Sequence, residues 1–113
     1  MYIVTRADLT PGQQLAQSAH AAFEFSVKYP DIVKTWNDAS NNLVCLSTPS
    51  EIDLLALSEC LLHVGITQMI RVVEPDLDDE LTAIAIAPHP EVHRLLSNLP
   101  LALKLRAREV VEV

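Results

Sequence analysis

Short continuous apolar runs alternate along the chain with apolar residues at helical spacing. Tyr2-Ile3-Val4-Thr5, inside Met1–Arg6, is a β-rich run and predicts a first, buried strand. Asp8-Leu9-Thr10-Pro11-Gly12-Gln13 then reads as a helix start. Thr10 serves as N-cap, Pro11 as first helical residue, and Gln13 sits three residues past the cap, as in a capping box. The helix is expected to reach about Lys28, with Leu15, Ala16, Ala19, Ala22, Phe23 and Val27 as its core face. A second short helix, Asp31–Asp38, follows Pro30, with Ile32, Val33 and Trp36 as its apolar positions.

Leu43-Val44-Cys45-Leu46, bounded by Ser40-Asn41 and Thr48-Pro49, predicts a second buried strand over Asn42–Ser47. Ser50 or Thr48 can cap a helix over Ser50–Val64. Leu54, Leu57, Leu61 and Val64 would face the core, Leu55 and Leu62 would widen that face, and Gly65 would end the helix. Ile66–Val73 reads as a third strand and Leu81–Ala87 as a fourth, stopped by Pro88. Pro90–Ser97 is a short helix before the Leu99-Pro100-Leu101 break. The order β-α-α-β-α-β-β-α predicts an α/β fold in three layers, a four-stranded mixed sheet with helices on both faces and right-handed crossovers. Residues 1–102 form one domain in this reading. Residues 103–113 are a charged, then valine-rich tail: a frayed helix, an extra edge strand or a disordered end.

Composition narrows the function. With 113 residues, half of them apolar and only 4% aromatic, the chain suits one domain with an aliphatic core. The net charge of −7 argues against a general nucleic-acid binder, which needs a basic face. Five of the acidic residues, however, fall between Glu74 and Glu80, and discounting them brings −7 to −2. Cys45 and Cys60 are too few for a cysteine zinc site or a disulfide framework. They read as buried free thiols in a reducing cytoplasm. No apolar run approaches the roughly 18 residues of a membrane span, and Met1–Leu9 carries Arg6 and Asp8 rather than a signal-type run. The two glycines, Gly12 and Gly65, belong to turns, so no glycine-rich phosphate loop is present, and no serine nucleophile motif occurs.

Two places can hold chemistry. Gln13, Gln17, His20 and Glu24 are spaced 4, 3 and 4 apart and stack on one side of the first helix. This is a solvated polar face unless another element lies opposite it. His20 is its one general acid or base, because imidazole is the side chain that ordinarily exchanges a proton near neutral pH. Glu24 either orients the imidazole or forms a surface pair with it. The second place is Glu74-Pro75-Asp76-Leu77-Asp78-Asp79-Glu80. It reads as a solvated loop, without the glycine and regular ligand spacing of a calcium loop, and no metal is expected there. Sites in open α/β sheets lie at the carboxyl ends of strands. The loops after the first and third strands can share that edge. Asp8, the helix start near Gln13, and Glu74 or Asp76 would then converge, with Thr82 close behind. His63 sits at a helix end, where a cation favours the dipole. His89 and His93 are four apart, but the His89-Pro90 peptide breaks helical geometry between them, so no metal pair is expected.

Taken together, these residues resemble the type 2 peptidyl-tRNA hydrolase family. Arg6-Ala7-Asp8-Leu9, the Gly12 turn and Ala16-Gln17-Ser18-Ala19-His20-Ala21 are similar to its strand, Asp-Leu turn and Ala-Gln-x-x-His-Ala helix. Trp36, Leu43–Leu46 with Ser50–Leu62, Gly65–Arg71 and Thr82–Pro88 follow in the family's order, so the resemblance covers about residues 1–102. It implies a four-stranded mixed sheet between helices, often a homodimer, hydrolysis of the ester joining a peptide to the 3′ end of tRNA, and no cofactor. By the same resemblance, His20 matches the active-site histidine, Gln17 the Ala-Gln position and Thr82 the threonine opening the last strand. The sequence departs in two places. Gln13 stands where the family has a lysine, after a turn two residues shorter. The family's Asp-Ala-Gly-x-Thr-Gln loop is replaced by Glu74–Glu80, so its catalytic aspartate maps to Glu74 or Asp76.

Three functions follow from the sequence. The first is a divergent peptidyl-tRNA hydrolase. His20 would act in acid–base catalysis, Asp76 or Glu74 would orient it or the water, and Thr82, Gln13, Gln17 and Asp8 would line the substrate side. The second is a binding or regulatory protein on the same fold, because tRNA affinity rests on Lys and Arg and the chain has lost a lysine and gained carboxylates. Its remaining basic residues include Arg6, Arg71, Lys104, Arg106 and Arg108. The third is a hydrolase for a small, cationic ester or amide.

Overall fold

The computed structural model describes residues 1–104; most of the valine-rich tail lies outside them. Strand β1 (Tyr2–Arg6) leads into helix α1 (Pro11–Lys28), which passes directly into helix α2 (Pro30–Ala39). Strand β2 (Val44–Thr48) and helix α3 (Glu51–His63) follow. Strand β3 (Met69–Glu74) and strand β4 (Glu80–Ile86) form a hairpin around a short 3₁₀ turn, Pro75–Leu77, and helix α4 (Pro90–Leu96) closes the described fold. The sheet order is β2-β1-β4-β3, with β1 parallel to β2 and β4 antiparallel to both its neighbours.

The start of α1 forms as its residues dictate. The Gln13 amide donates to Thr10 Oγ1 at 3.2 Å and Gln13 Oε1 accepts from the Thr10 amide at 3.0 Å, while Pro11 gives up no helical hydrogen bond. Gly65 takes φ +91° just past α3, where a side chain would be strained. The sheet is covered on both faces. On one side Leu54 and Leu61 of α3 and Val92 and Leu96 of α4 pack on Val4, Leu46, Ile84 and Ile86. On the other, Ala21 and Phe25 of α1, with Ile32, Val33 and Trp36 of α2, pack on Ile3, Ile70, Val72, Ala83 and Ala85. The β2 edge is extended by Pro100–Ala102: Ser47 N donates to Pro100 O and Ala102 N to Cys45 O, each at 2.9 Å.

Four expectations need correction. The core face of α1 is Gln14, Ala21 and Phe25, and Leu15, Phe23 and Val27 point to solvent. The helix carries apolar residues on two sides. The side that meets the sheet is the one whose polar members find partners there, Gln14 Nε2 on Leu9 O at 2.9 Å and Gln17 on β4. On α3, Leu54, Ser58 and Leu61 face inward, whereas Leu55, Leu62 and Val64 are exposed because one sheet face accommodates only a narrow stripe. Cys60 is exposed rather than buried; Cys45 is half-buried, and burial pushes its thiol pKa up. Finally, Met69 rather than Ile66 begins β3.

Candidate active site

The carboxyl ends of β1 and β3 and the start of β4 meet at one edge of the sheet, beside the first half of α1. The pairing of β3 with β4 passes from Val72–Ala83 to Val73–Leu81, leaving Thr82 as an extra residue without a partner on β3. This bulge reverses the alternation of the strand. Leu81 joins Ile84 and Ile86 in the core beneath α3, while Thr82 turns toward α1 on the side of Ala83 and Ala85. Thr82 is fully buried.

Side chains occupy the backbone groups that the bulge frees. Leu81 N donates to Glu51 Oε2 at 2.7 Å, Leu81 O accepts from Arg6 at 3.2 Å, and Thr82 O accepts from Thr5 Oγ1 at 2.9 Å. The Thr82 hydroxyl lies 2.8 Å from Gln17 Oε1 and 3.3 Å from Val72 O, which share its proton. Gln17 Nε2 in turn donates to Glu74 Oε2 at 3.2 Å, and Glu74 Oε1 caps the Asp76 amide at 3.2 Å. One amide side chain thus joins the buried hydroxyl of Thr82 to the carboxylate of Glu74.

His20 lies one turn further along α1, half-exposed, with Nε2 3.2 Å from Glu24 Oε1. The Glu24 carboxylate attracts the ring when the ring carries a second proton. The remaining sequence candidates are placed as follows. Asp76 is exposed in the 3₁₀ turn, and no hydrogen bond joins its side chain to His20, Thr82 or Gln17 among the described residues. Gln13 spends its carbonyl oxygen on the capping box. Asp8 is held by Arg6, whose Nε and Nη2 reach its two oxygens at 3.0 and 2.8 Å. Of the five clustered acids, Glu74 turns to α1 and Glu80 to Arg6 at 2.7 Å; Asp78 and Asp79 form the turn itself with φ of 54° and 57°. His89 caps α4 through Nδ1, and His93 Nδ1 meets Tyr2 OH at 2.7 Å at the opposite end of the sheet. No group of three or more metal-ligating side chains gathers among the described residues.

In the sequence Arg6 was legible as the start of the Arg6–Leu9 stretch and as a residual basic residue, with no partner assigned to it. The structure makes it the clamp of this edge. It holds the Asp8 carboxyl below the usual range, because the guanidinium hydrogen-bonds and attracts the charged form. A carboxyl with a lowered folded-state pKa contributes its stability in full above its unfolded value of about 3.9 and loses it as the pH falls through the folded value. Asp8→Asn should therefore destabilise the protein by about 1 kcal/mol at neutral pH. The gap from wild type should close below about pH 4. Urea midpoints of both proteins from neutral to acid pH check this, and a gap that does not narrow contradicts the pairing.

The architecture is that of a small three-layer α/β domain with a half-exposed histidine on the helix that packs beside one sheet edge. Its sequence matches the family model described as peptidyl-tRNA hydrolase PTH2 over residues 1–102. The chain belongs to the type 2 peptidyl-tRNA hydrolase family, and its function at family level is peptidyl-tRNA hydrolase-like. No curated protein matches it. No helix among the described residues is long and apolar enough to cross a membrane.

Proposed function

We propose that the chain hydrolyses the ester between a peptidyl or N-blocked aminoacyl group and the 3′ end of tRNA, in the cytoplasm. The observation that carries this reading is the Glu74–Gln17–Thr82 chain one helical turn from His20, on a scaffold of the matching family. A ring nitrogen of His20 takes a proton from water as its oxygen bonds to the ester carbonyl carbon, and Glu24 stabilises the imidazolium that forms. The tetrahedral intermediate collapses by breaking the bond to the ribose oxygen, which recovers the proton from His20. Gln17, fixed at both ends of its amide, and the Asp8–Gln13 segment lie where the substrate would enter.

Incubation with N-acetylated aminoacyl-tRNA should release the N-acetyl amino acid, with unblocked aminoacyl-tRNA spared. Release no faster than in buffer overturns the reading. Within it, the carboxylate that matters is Glu74. Its charge-assisted hydrogen bond to Gln17 contributes about 1.5–3 kcal/mol. Glu74→Gln should therefore slow hydrolysis roughly 10- to 100-fold. Asp76→Asn should stay within about twofold, since surface substitutions change little. The reverse order of effects would move the role to Asp76.

The exposed carboxylates Asp76, Asp78 and Asp79, with Gln13 in place of a lysine, favour a second reading: a binding protein that has lost tRNA chemistry. It requires that tRNA binding be absent. Affinity that falls steeply with salt excludes it.

A further inference from the structure

Helix α2 leaves a groove along the side that turns away from α1 and the sheet centre. At about 100° per residue, Asp31, Ile32, Thr35, Trp36 and Ala39 fall within one half of its circumference. With Pro88, which follows β4, they line a cavity of about 440 Å³. Small-molecule pockets run from roughly 300 to 1,000 Å³. Ala39 sits at the middle of the arc, and its small side chain leaves the space open.

The wall is fixed and mostly apolar. Ile32 and Trp36 pack part of their surface against the core. The indole N–H donates to Asn42 O at 2.7 Å, which holds the ring in place. Asp31 is the one ionisable group in the lining. No hydrogen bond or ion pair holds its carboxylate among the described residues. The lysines nearest to it in sequence are engaged elsewhere: Lys34 Nζ meets Asp38 at 2.9 Å, and Lys28 Nζ lies 5.4 Å from the centre of the Tyr29 ring. An acid in the first helical turn suits the helix dipole, but that interaction takes up neither carboxylate oxygen.

A fixed aromatic ring and an unpaired carboxylate at one apolar cavity suit a particular ligand. An ammonium group is attracted to the electron-rich face of an indole and pairs with a carboxylate, while an apolar body attached to it covers the cavity wall. A carboxylate or phosphate ligand would meet Asp31 as a like charge, and no cation lines the cavity to offset it. The geometry points to the α2 groove as a binding site for a small organic ammonium ion with an apolar body, held between Trp36 and Asp31. Pro88 lies six residues beyond Thr82, about 20 Å along the strand direction. The groove is therefore separate from the His20 edge and does not rest on the hydrolytic reading.

Trp36 is the chain's only tryptophan, so its fluorescence reports this cavity directly. Titration with phenethylammonium should give a saturable change. Phenethyl alcohol should bind at least about 3-fold more weakly, and hydrocinnamate at least about 10-fold more weakly. Asp31→Asn should weaken ammonium binding roughly 3- to 10-fold and bring it level with the alcohol. The net charge of −7 attracts any cation. Asp76→Asn removes an equal charge at the opposite end of the sheet and should leave binding unchanged. Ala39→Phe should fill the cavity and abolish saturation. Should that variant misfold by circular dichroism, the comparison of Asp31→Asn with Asp76→Asn decides alone, because Asp31→Asn breaks no contact. A linear response, equal affinity for the three probes, equal effects of Asp31→Asn and Asp76→Asn, or undiminished binding by folded Ala39→Phe overturns the inference.

Discussion

Replacing His20 with alanine will lower turnover of N-blocked aminoacyl-tRNA by about 10²- to 10⁴-fold, the usual worth of a positioned acid–base group. The loss should lie mainly in kcat. The imidazole acts on the proton of the attacking water, and binding of the tRNA backbone does not depend on it. Its position makes the experiment clean. His20 is half-exposed on α1 and its ion-pair neighbour Glu24 is half-exposed too, so its removal leaves no buried group unpaired. Alanine is the stronger helix former, and the urea midpoint should hold or rise slightly. Glu24→Gln should give a smaller loss, because the neutral amide keeps the size of the side chain but no longer stabilises the imidazolium. Equal turnover by wild type and His20→Ala would remove His20 from the chemistry and leave the Glu74–Gln17–Thr82 chain as a structural brace.

The elements of the fold were legible because their local signals agree. Thr10, Pro11 and Gln13 spell the start of α1, Pro88 stops β4, and Gly65 ends α3. From these the strand–helix order follows, and with it the mixed sheet. Which side of α1 meets the sheet was not legible. Periodicity registers the widest apolar stripe, Leu15 through Val27, and that stripe faces outward, while two glutamines face in. Glutamine reads as solvent-exposed in any pattern. Only the partners on Leu9, Thr82 and Glu74 make it an inward residue, and these are up to 65 positions away in sequence. The site was half-legible for the same reason. His20, Gln17 and Thr82 could be singled out, but the bulge that swings Thr82 to the α1 side carries no glycine to announce it. It exists because Glu51 of α3 and Thr5 and Arg6 of β1 satisfy the backbone it frees.

Arg6 is therefore expected to be the most costly single polar substitution. Arg6→Met keeps the length and apolar stem of the side chain but removes four hydrogen bonds, two to Asp8, one to Glu80 and one to Leu81 O. The Arg6 side chain is only 7% exposed, whereas Asp8 and Glu80 are partly exposed and recover hydration when the cation is lost. Breaking one partner of a fully buried pair costs about 3–5 kcal/mol, and the solvation of the two carboxylates places this case at the lower end, about 3 kcal/mol. For a domain of this size that is a fall in Tm of roughly 10–20 °C. Arg6→Lys should recover only part of it, since an ammonium cannot present the planar fork that meets both Asp8 oxygens and Glu80 together. The loss reaches the site as well. The Leu81 carbonyl freed from Arg6 belongs to the bulge that aims Thr82. Folded Arg6→Met should therefore show lower kcat at a temperature where calorimetry finds it fully native. A Tm within 2–3 °C of wild type, a change worth less than about 1 kcal/mol, would mean that the bulge is held by Glu51 and Thr5 alone and that Arg6 is dispensable to the edge it bridges.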